Sequence, residues 1–351
     1  MSAARRALVT GGAGFIGTNL VSRLVEEGAH VVLLDDLSRS GVDQNLAWLQ
    51  ATYGRDLRVE LADVCDRAAL RRALIGATEV YHLAAQVAVT TSLDSPTDDF
   101  RVNAQGTFGL LEEIRRLDRP PFLLFTSSNK VYGALPQLEL ELAGSRWRPV
   151  DPVIARAGLS ERVPLDFCTP YGCSKGAADQ YVLDYAKSYG IPSVVFRMSC
   201  VYGPHQHGNE DQGWVAHFAI RSLEGREITL YGDGAQVRDI LFVEDLLDAM
   251  QLARADANRL AGTAFNMGGG PANAVSLLEV VDLIGQLGAP SRVRHAAERP
   301  GDQRYYVADT SRFAAATGWR PQVDAREGIA LLHGWLAEER AARLPHVAVA
   351  S

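Results

Sequence analysis

A glycine-rich turn near the start of the chain constrains the fold more than any other feature of the sequence. Residues 10–17 read TGGAGFIG and lie between a short apolar run, residues 7–10, and an amphipathic stretch, residues 15–27. Glycines at these spacings let the backbone turn tightly between a strand and a helix and approach a pyrophosphate, which then lies at the helix N-terminus. The turn therefore predicts a dinucleotide-binding α/β fold.

The distribution of apolar residues agrees with that fold. Short apolar runs alternate with longer amphipathic segments, which is typical of βαβ units on a parallel sheet. Because such a sheet is covered on both faces, its strands are continuously apolar, as in residues 122–125. We predict strands at residues 7–10, 31–35, 58–61, 79–83, 122–127 and 193–201, with helices at 15–27 and 102–116. Together they predict a Rossmann-type doubly wound parallel sheet.

An acidic residue indicates which dinucleotide binds. Asp35 ends the second predicted strand, where a carboxylate accepts hydrogen bonds from the adenosine ribose and repels a 2′-phosphate. NAD is therefore favoured over NADP, although the nearby Arg39 weakens the preference. Asp63 and Val64, after the third predicted strand, either meet the adenine or form a surface turn.

The second half of the chain is less regular. Residues 134–170 are too long for an ordinary connection and are either functional or a small subdomain. After Gly203 the pattern loosens and returns only at residues 239–253. We predict an NAD-binding Rossmann domain of residues 1–203 plus 238–261, and a smaller, discontinuous α/β domain of residues 204–237 plus 262–351 that binds the substrate.

Tyr171 and Lys175 form the second chemical signal. They lie four residues apart at the start of a predicted helix and therefore share one face. A tyrosine that acts as a base near pH 7 needs its pKa lowered by about three units, and a lysine ammonium and a nicotinamide cation both favour the phenolate. Ser128 follows the fifth predicted strand at the carboxyl edge of the sheet, where ligands bind in such folds, and can hold a reacting oxygen against Tyr171.

Together with four further motifs, these features resemble the extended short-chain dehydrogenase/reductases, the NAD-dependent nucleotide-sugar epimerases and dehydratases. The motifs are HLAA at residues 82–85, NAQGT at 103–107, RD at 238–239 and RPGD at 299–302. The resemblance runs from Ala7 to about Trp319. It implies a nucleotide-sugar substrate, catalytic roles for Ser128, Tyr171 and Lys175, and a structural or relay role for Asn103.

The resemblance also implies two sets of binding residues. For the cofactor they are Gly11, Gly14, Phe15, Ile16, Gly17, Asp35, Asp36, Ser38, Arg39, Asp63, Val64, Leu83, Ala84, Ala85, Asn103, Tyr171 and Lys175. For the substrate they are Gln86, Thr90, Ser127, Ser128, Asn129, Cys200, Trp214, Arg238 and Arg299, with the two arginines at the diphosphate. Cys200 and Trp214 have an alternative role as core residues, and Lys130 either contacts the substrate or is solvated at the strand end.

A narrower resemblance is to the CDP-tyvelose (CDP-paratose) 2-epimerases. It rests on the strings at residues 86–92, 127–133, 170–181 and 210–218 and on the long 134–170 segment. Dehydratases of the family need a carboxylate pair directly after the serine or threonine, where this chain has Asn129 and Lys130. We therefore expect C2 epimerisation of a CDP-deoxysugar through a transient keto sugar; the alternatives are a UDP-sugar 4-epimerase and a non-catalytic NAD-binding sensor.

Composition excludes some partners. A formal net charge of −7 argues against a nucleic-acid groove. The four cysteines, Cys65, Cys168, Cys173 and Cys200, have no metal-ligand spacing, and we expect no metal site; His205, His207, Glu210 and Asp211 are interpreted as a substrate loop. The sequence shows neither a signal peptide nor an apolar run of membrane-spanning length, so we expect a cytoplasmic enzyme without a membrane partner.

The helices that begin near Asn103 and Tyr171 suggest a homodimer. We expect them to lie on one outer face of the sheet and to present Leu110, Leu111, Ile114, Val182 and Tyr185 outward. Such an apolar patch on two adjacent helices would suit a two-fold contact.

Overall fold

The alternating pattern forms a seven-stranded parallel sheet in the computed structural model, which describes residues 5–288, 290–299 and 301–343. The strands of the chain are β1 (Arg6–Thr10), β2 (His30–Asp35), β3 (Leu57–Leu61), β4 (Glu79–His82), β5 (Phe122–Ser128), β6 (Leu140–Ala143), β7 (Arg146–Pro149), β8 (Ser193–Met198), β9 (Cys200–Tyr202), β10 (Ile228–Tyr231), β11 (Val237–Phe242), β12 (Thr263–Met267), β13 (Ala274–Ser276), β14 (Val293–Ala296) and β15 (Tyr305–Tyr306). The large sheet has the order β3-β2-β1-β4-β5-β8-β12. The predicted Rossmann-type sheet is confirmed.

Helices pack on both faces of that sheet and around the smaller sheets. They are α1 (Phe15–Glu26), α2 (Val42–Tyr53), α3 (Arg67–Ala73), α4 (Val89–Asp94), α5 (Pro96–Phe100), α6 (Thr107–Ile114), α7 (Pro152–Ala157), α8 (Thr169–Tyr189), α9 (Trp214–Leu223), α10 (Val243–Ala255), α11 (Ala257–Leu260), α12 (Leu277–Leu287), α13 (Ser311–Thr317) and α14 (Ala325–Arg343). A π-helical turn, Arg101–Gly106, joins α5 to α6, and short 3₁₀ turns lie at Gly54–Asp56, Asn129–Tyr132 and Pro271–Asn273. Among the described residues, no helix has both the length and the apolar character needed to cross a membrane.

The chain passes between the two sheets at Ser199. The predicted strand 193–201 is in fact two strands, because β8 belongs to the large sheet whereas β9 pairs with β11 in a smaller one. Ser199 lies between them and is held on both sides: its N–H donates to Met267 O (2.7 Å) and its hydroxyl to Asp239 Oδ1 (2.5 Å). The carboxyl edge of the large sheet therefore lies directly beside the second domain.

One predicted domain boundary does not follow the strand pairing. The prediction put everything after residue 261 in the second domain, but β12 pairs along its length with β8 at the edge of the large sheet. An apolar strand between two less regular segments gives no sequence signal of which sheet it joins. In addition, β9 and β11, which lie almost wholly within the predicted Rossmann segments 1–203 and 238–261, pair with each other in the smaller sheet. We propose that residues 262–267 belong to the NAD-binding domain and that β9 and β11 belong to the second domain.

The smaller domain has its own core. Its strands β9, β11, β13 and β15 form one sheet and β10 pairs with β14, with α9, α12 and α14 packed around them. Fully or nearly fully buried side chains fill the space between, among them Phe218, Leu230, Ile240, Val280 and Ile329.

Residues 134–170 include secondary structure of their own. The antiparallel pair β6–β7 contacts the second domain through Trp147 N–H, which donates to Ala235 O (3.0 Å), and through the ion pair of Arg146 with Glu279. Of the two interpretations of this segment, a small subdomain describes its structure.

The predicted outward patch on α6 and α8 is wrong. Leu110, Leu111, Ile114 and Val182 are fully buried in the core beneath the helices, and Tyr185 is 5% exposed, with its ring against Phe108 and its hydroxyl donating to Glu112 Oε1 (2.9 Å). The helices lie flat on the sheet, so their apolar stripes pack inward. Other aromatic side chains face outward, notably Phe108 (39% exposed) and Tyr181 (47%), whose rings meet edge to face with centroids 5.4 Å apart.

Candidate active site

The turn between β1 and α1 forms a cradle in which a side chain would not fit. A Cβ atom on Gly11 would lie 2.7 Å from Ala84 N, and one on Gly17 would lie 2.2 Å from Gly11 O. Gly14 precedes α1 and supplies no capping side chain, so the first N–H groups of the helix remain available at the positive end of its dipole. This geometry fits a dinucleotide pyrophosphate.

A cleft of about 590 Å³ opens above the cradle. Every residue predicted to bind the cofactor lines it except Asn103, and Gln86, Ser127 and Ser128 line it as well. Sequence reasoning missed Ser199, Val201, Gln206, Asn209 and Gln212, which come from the segment after β8. From the sequence, part of that segment is interpreted as a substrate loop, so its contribution to the cofactor cleft is not predicted.

Asp35 fixes the conformation of the glycine-rich turn through hydrogen bonds to the backbone. Its Oδ2 accepts a hydrogen bond from Ala13 N–H (3.0 Å) and its Oδ1 accepts one from Leu37 N–H (2.9 Å). Burial raises the pKa of Asp35, although these backbone hydrogen bonds oppose the shift. The carboxylate is thus fixed at the cleft edge, where the ribose of a bound dinucleotide would lie. Asp63, by contrast, is paired with Arg101 (2.6 Å) and forms part of a turn.

Ser128, Tyr171 and Lys175 meet where β5 ends and α8 begins. All three side chains are buried and line the cofactor cleft. Ser128 Oγ accepts a hydrogen bond from Lys130 N–H (3.2 Å), and Tyr171 N–H donates to Ser92 Oγ (3.2 Å), so the strand end and the helix start are both fixed. The structure brings the predicted set together.

The protein alone does not lower the pKa of Tyr171. Burial raises that pKa, while the hydrogen bond with Ser128 and the charge of Arg39 act in the opposite direction. Burial also lowers the pKa of Lys175 to about 7, against the pull of Asp179 and Asp99. The expected lowering by the lysine ammonium is therefore not found, and the positive nicotinamide ring remains the cation that would favour the phenolate.

Asn103 supports the site from behind the cleft wall. It lies in the π-helical turn, is 1% exposed, and its Nδ2 faces Gln86 O (3.0 Å), Asp99 Oδ1 (3.1 Å) and Ser174 Oγ (3.1 Å). These contacts connect the α5–α6 segment to α8 next to Lys175. The geometry supports a structural role and not direct contact with the cofactor.

A second cleft of about 320 Å³ continues from the first, and Ser128 and Tyr171 belong to both. Of the residues predicted to bind substrate, it is lined by Thr90, Ser128, Asn129, Cys200, Trp214, Arg238 and Arg299, whereas Gln86 and Ser127 line only the cofactor cleft. Lys130, for which contact with substrate and solvation at the strand end were both open, is partly buried in the wall of this cleft, with Nζ 3.6 Å from Asp302 Oδ1. Trp214 Nε1 donates to Cys200 Sγ (3.3 Å), so these two side chains support each other in the wall.

The two arginines at this cleft differ in how they are held. Arg238 donates to Asp302 Oδ1 (2.7 Å), Val237 O (2.7 Å) and Gln303 O (2.5 Å), so its guanidinium is largely committed to the protein. Arg299 lies over the Tyr231 ring, with Cζ 3.8 Å from the centroid, and is the more available cation. Pro300, between Arg299 and Gly301 in the predicted motif, lies outside the described residues.

The loop with two histidines packs between α2 of the cofactor domain and α14 of the second domain. The His205 ring lies between those of Trp48 (4.3 Å between centroids) and Trp335 (5.1 Å), and His207 Nε2 lies 3.0 Å from Asn45 Oδ1. Within the parts of the chain that the structure describes, no group of three or more His, Cys, Asp or Glu side chains could hold a metal ion.

The Rossmann sheet, the glycine cradle and the Ser128, Tyr171 and Lys175 set define a dinucleotide-dependent enzyme of the short-chain dehydrogenase/reductase type. Residues 7–268 match the NAD dependent epimerase/dehydratase family. The chain belongs to this family, and NAD is its cofactor.

Several relatives match over nearly the whole chain. CDP-paratose 2-epimerase of Salmonella typhi is 38% identical over 93% of this chain and 98% of its own length. UDP-glucose 4-epimerase of Mycolicibacterium smegmatis is 35% identical over 93% and 96%. Among solved structures, the complex of Thermus thermophilus UDP-glucose 4-epimerase with NAD has a TM-score of 0.79 at 33% identity, covering 94% of this chain and 98% of that one.

Proposed function

We propose that this enzyme inverts C2 of a CDP-linked deoxysugar through a transient 2-keto sugar. The observation that carries the proposal is the 38% identity to CDP-paratose 2-epimerase over 98% of that protein. The site supports it, because Asn129 and Lys130 stand where a dehydratase needs a carboxylate acid and base. Neither side chain can move protons at C5 and C6 in that way.

In this proposal each residue of the site has a distinct task. Tyr171 removes the proton from the reacting sugar hydroxyl and later returns it, and Ser128 holds the same oxygen. Lys175, one helical turn after Tyr171, lies beside it in the cleft wall. When bound, NAD supplies reversible hydride acceptance, so that no net redox change occurs. The keto sugar must present its opposite face in between, which requires a cleft that is loose around the sugar.

The substrate cleft is compatible with that requirement. It meets the cofactor cleft at Ser128 and Tyr171, and its wall includes Arg299, which we assign to the diphosphate of the nucleotide sugar. Arg299 would hold the diphosphate, and Tyr171 lies where the two clefts meet. The hexose between these two residues is then free to turn.

The decisive experiment is NMR of the product formed from a panel of CDP-, UDP- and GDP-sugars. We expect inversion at C2 of a CDP-deoxysugar and no turnover of UDP-glucose. The 35% identity to a UDP-glucose 4-epimerase makes 4-epimerisation the second candidate. Inversion at C4 of a UDP-sugar in this panel would contradict C2 epimerisation and support that alternative.

We further propose that the enzyme works in the cytoplasm as a homodimer. Its described cysteines are unpaired, in agreement with a reducing compartment. The outward faces of α6 and α8 carry the exposed pair Phe108 and Tyr181, and a two-fold contact of these helices would cover both rings.

A further inference from the structure

A short turn lies where the cofactor and substrate clefts meet. We call residues 209–212 the crossing turn. Asn209, Asp211 and Gln212 line the cofactor cleft, and Glu210, Asp211 and Gln212 line the substrate cleft. The turn is closed by its own bonds, since Asn209 N–H donates to Gln212 O (2.9 Å) and Asp211 N–H donates to Asn209 Oδ1 (3.0 Å). It is therefore a compact unit.

Side chains on both walls hold the crossing turn. On the substrate side, Arg299 Nη1 donates to Glu210 O (3.0 Å), and Arg299 Nη2 lies 3.4 Å from Asp211 Oδ1. The Tyr231 hydroxyl donates to Glu210 Oε1 (2.5 Å). On the cofactor side, Arg39 Nη2 donates to Gln212 Oε1 (2.8 Å).

The segments that flank the crossing turn are fixed more firmly. Before it, Asn45 Nδ2 donates to His205 O (3.1 Å) and Gln206 is 2% exposed. After it, Gly213 has φ +75° and accepts a hydrogen bond from His217 N–H (2.9 Å) at the start of α9. A Cβ atom on Gly208 would lie 2.5 Å from Gly213 O, so the two ends of the loop meet at its base. Movement is thus confined to the tip.

The contact with Arg299 is of a kind that a ligand can replace. Asp211 is about half exposed (48%) and its oxygen is 3.4 Å from the guanidinium, and exposed ion pairs of this type contribute little. A diphosphate offers several anionic oxygens that a guanidinium binds with two parallel hydrogen bonds. The stronger anion should therefore displace the carboxylate.

We propose that Asp211 and the Glu210 carbonyl occupy Arg299 in place of the substrate's diphosphate, and that substrate binding displaces them, which leaves the crossing turn held on the substrate side by the Tyr231–Glu210 hydrogen bond. The inference rests on the proposed function to the extent that Arg299 binds the diphosphate of a nucleotide sugar. Gln212 of the same turn accepts a hydrogen bond from Arg39 in the wall of the cofactor cleft. Displacement of the turn by substrate therefore also changes the part of the cofactor cleft that the turn lines.

Binding measurements on the NAD-loaded enzyme test the competition directly. Asp211→Asn should bind CDP or UDP, whichever the wild type prefers, about two- to fivefold more tightly, as expected for loss of an exposed ion pair. Affinity for the nucleoside without phosphates should not change. Asp282→Asn, which removes an exposed carboxylate on α12 that lines neither cleft, is the matched control and should bind like the wild type. Equal or weaker diphosphate binding by Asp211→Asn would overturn the inference.

Hydrogen exchange gives an independent measurement. Saturating nucleoside diphosphate should speed exchange of the amides in residues 209–212 of the wild type, while the flanking amides stay protected. Slower exchange in the turn would contradict displacement. Failure of the proposed function gives a different result. If neither CDP nor UDP binds at all, the substrate class is wrong and the inference fails with it. If only the proposed nucleotide base or the proposed epimerised carbon is wrong, this test is unaffected.

Discussion

The ammonium nitrogen of Lys175 lies 4.4 Å from the centroid of the Phe125 ring, in the wall formed by β5 and α8. Burial there lowers the pKa of Lys175 to about 7. In the unfolded chain a lysine titrates near 10.4. Between these two values the unfolded chain holds a proton that the folded protein has released, so this group makes folding more favourable as pH rises from about 7 to about 10.5.

Lys175→Met should remove that pH dependence. We measure the free energy of unfolding in urea without NAD. As pH rises through this range, the value for the wild type should increase relative to the value for the variant. Below pH 7 Lys175 is protonated in the folded protein, and the buried charge destabilises the folded state. The variant should therefore be the more stable protein there. Parallel pH curves for the two proteins would show that Lys175 is not titrating near neutrality.

Asp35→Asn should lower the amount of NAD that copurifies with the protein. The change keeps the shape of the side chain but removes the charge, and hydrogen bonds to a charged group are worth about 1.5–3 kcal/mol. Occupancy can be read from the dinucleotide released on denaturation. Asp43→Asn on α2 is the control, because Asp43 is exposed and does not line the cleft. Full NAD occupancy in Asp35→Asn would show that Asp35 does not bind the ribose.

A double change, Phe108→Glu with Tyr181→Glu, should convert the proposed dimer to a monomer. Both rings are exposed on the outward faces of α6 and α8, and buried charges would repel each other across a two-fold contact. Light scattering at micromolar concentration measures the mass. Ile75→Glu, at an exposed position elsewhere (68%), should leave the mass unchanged. A monomeric wild type would contradict the proposal outright.

The sequence predicts most of the cofactor half of the molecule because its signals are local. The glycine turn, Asp35 and the continuously apolar strands each depend on near neighbours in the chain. By contrast, β12 joins the large sheet through pairing with β8, which no nearby residue specifies. Leu110 and Val182 were predicted to face outward because apolar side chains on a helix do not by themselves say which side the sheet covers.

The substrate half is predicted less completely for the same reason. Arg238 and Arg299 match motifs of the family, yet only the folded structure shows that Arg238 is committed to Asp302 and that Arg299 contacts Glu210 and Asp211. The crossing turn is held by Arg39 and Arg299, which lie far from it in sequence, so its role could not be predicted from nearby residues.

Tyr171→Phe should abolish most of the turnover. Loss of a general base typically costs 10²–10⁴-fold, and this change removes only the hydroxyl. Because the ring remains in place, NAD content and thermal stability should stay close to those of the wild type. Turnover near the wild-type level would assign the base to another group.

The position of isotopic label in the product tests the central claim most directly. We predict that a CDP-deoxysugar deuterated at C2 gives an epimer that retains the deuterium at C2, because the hydride returns from the cofactor that received it. The unlabelled substrate turned over in deuterated water should gain no carbon-bound deuterium. Solvent deuterium at C2 would contradict the account, since it would mean that the carbon is deprotonated beside a carbonyl and that the site does not carry out hydride return.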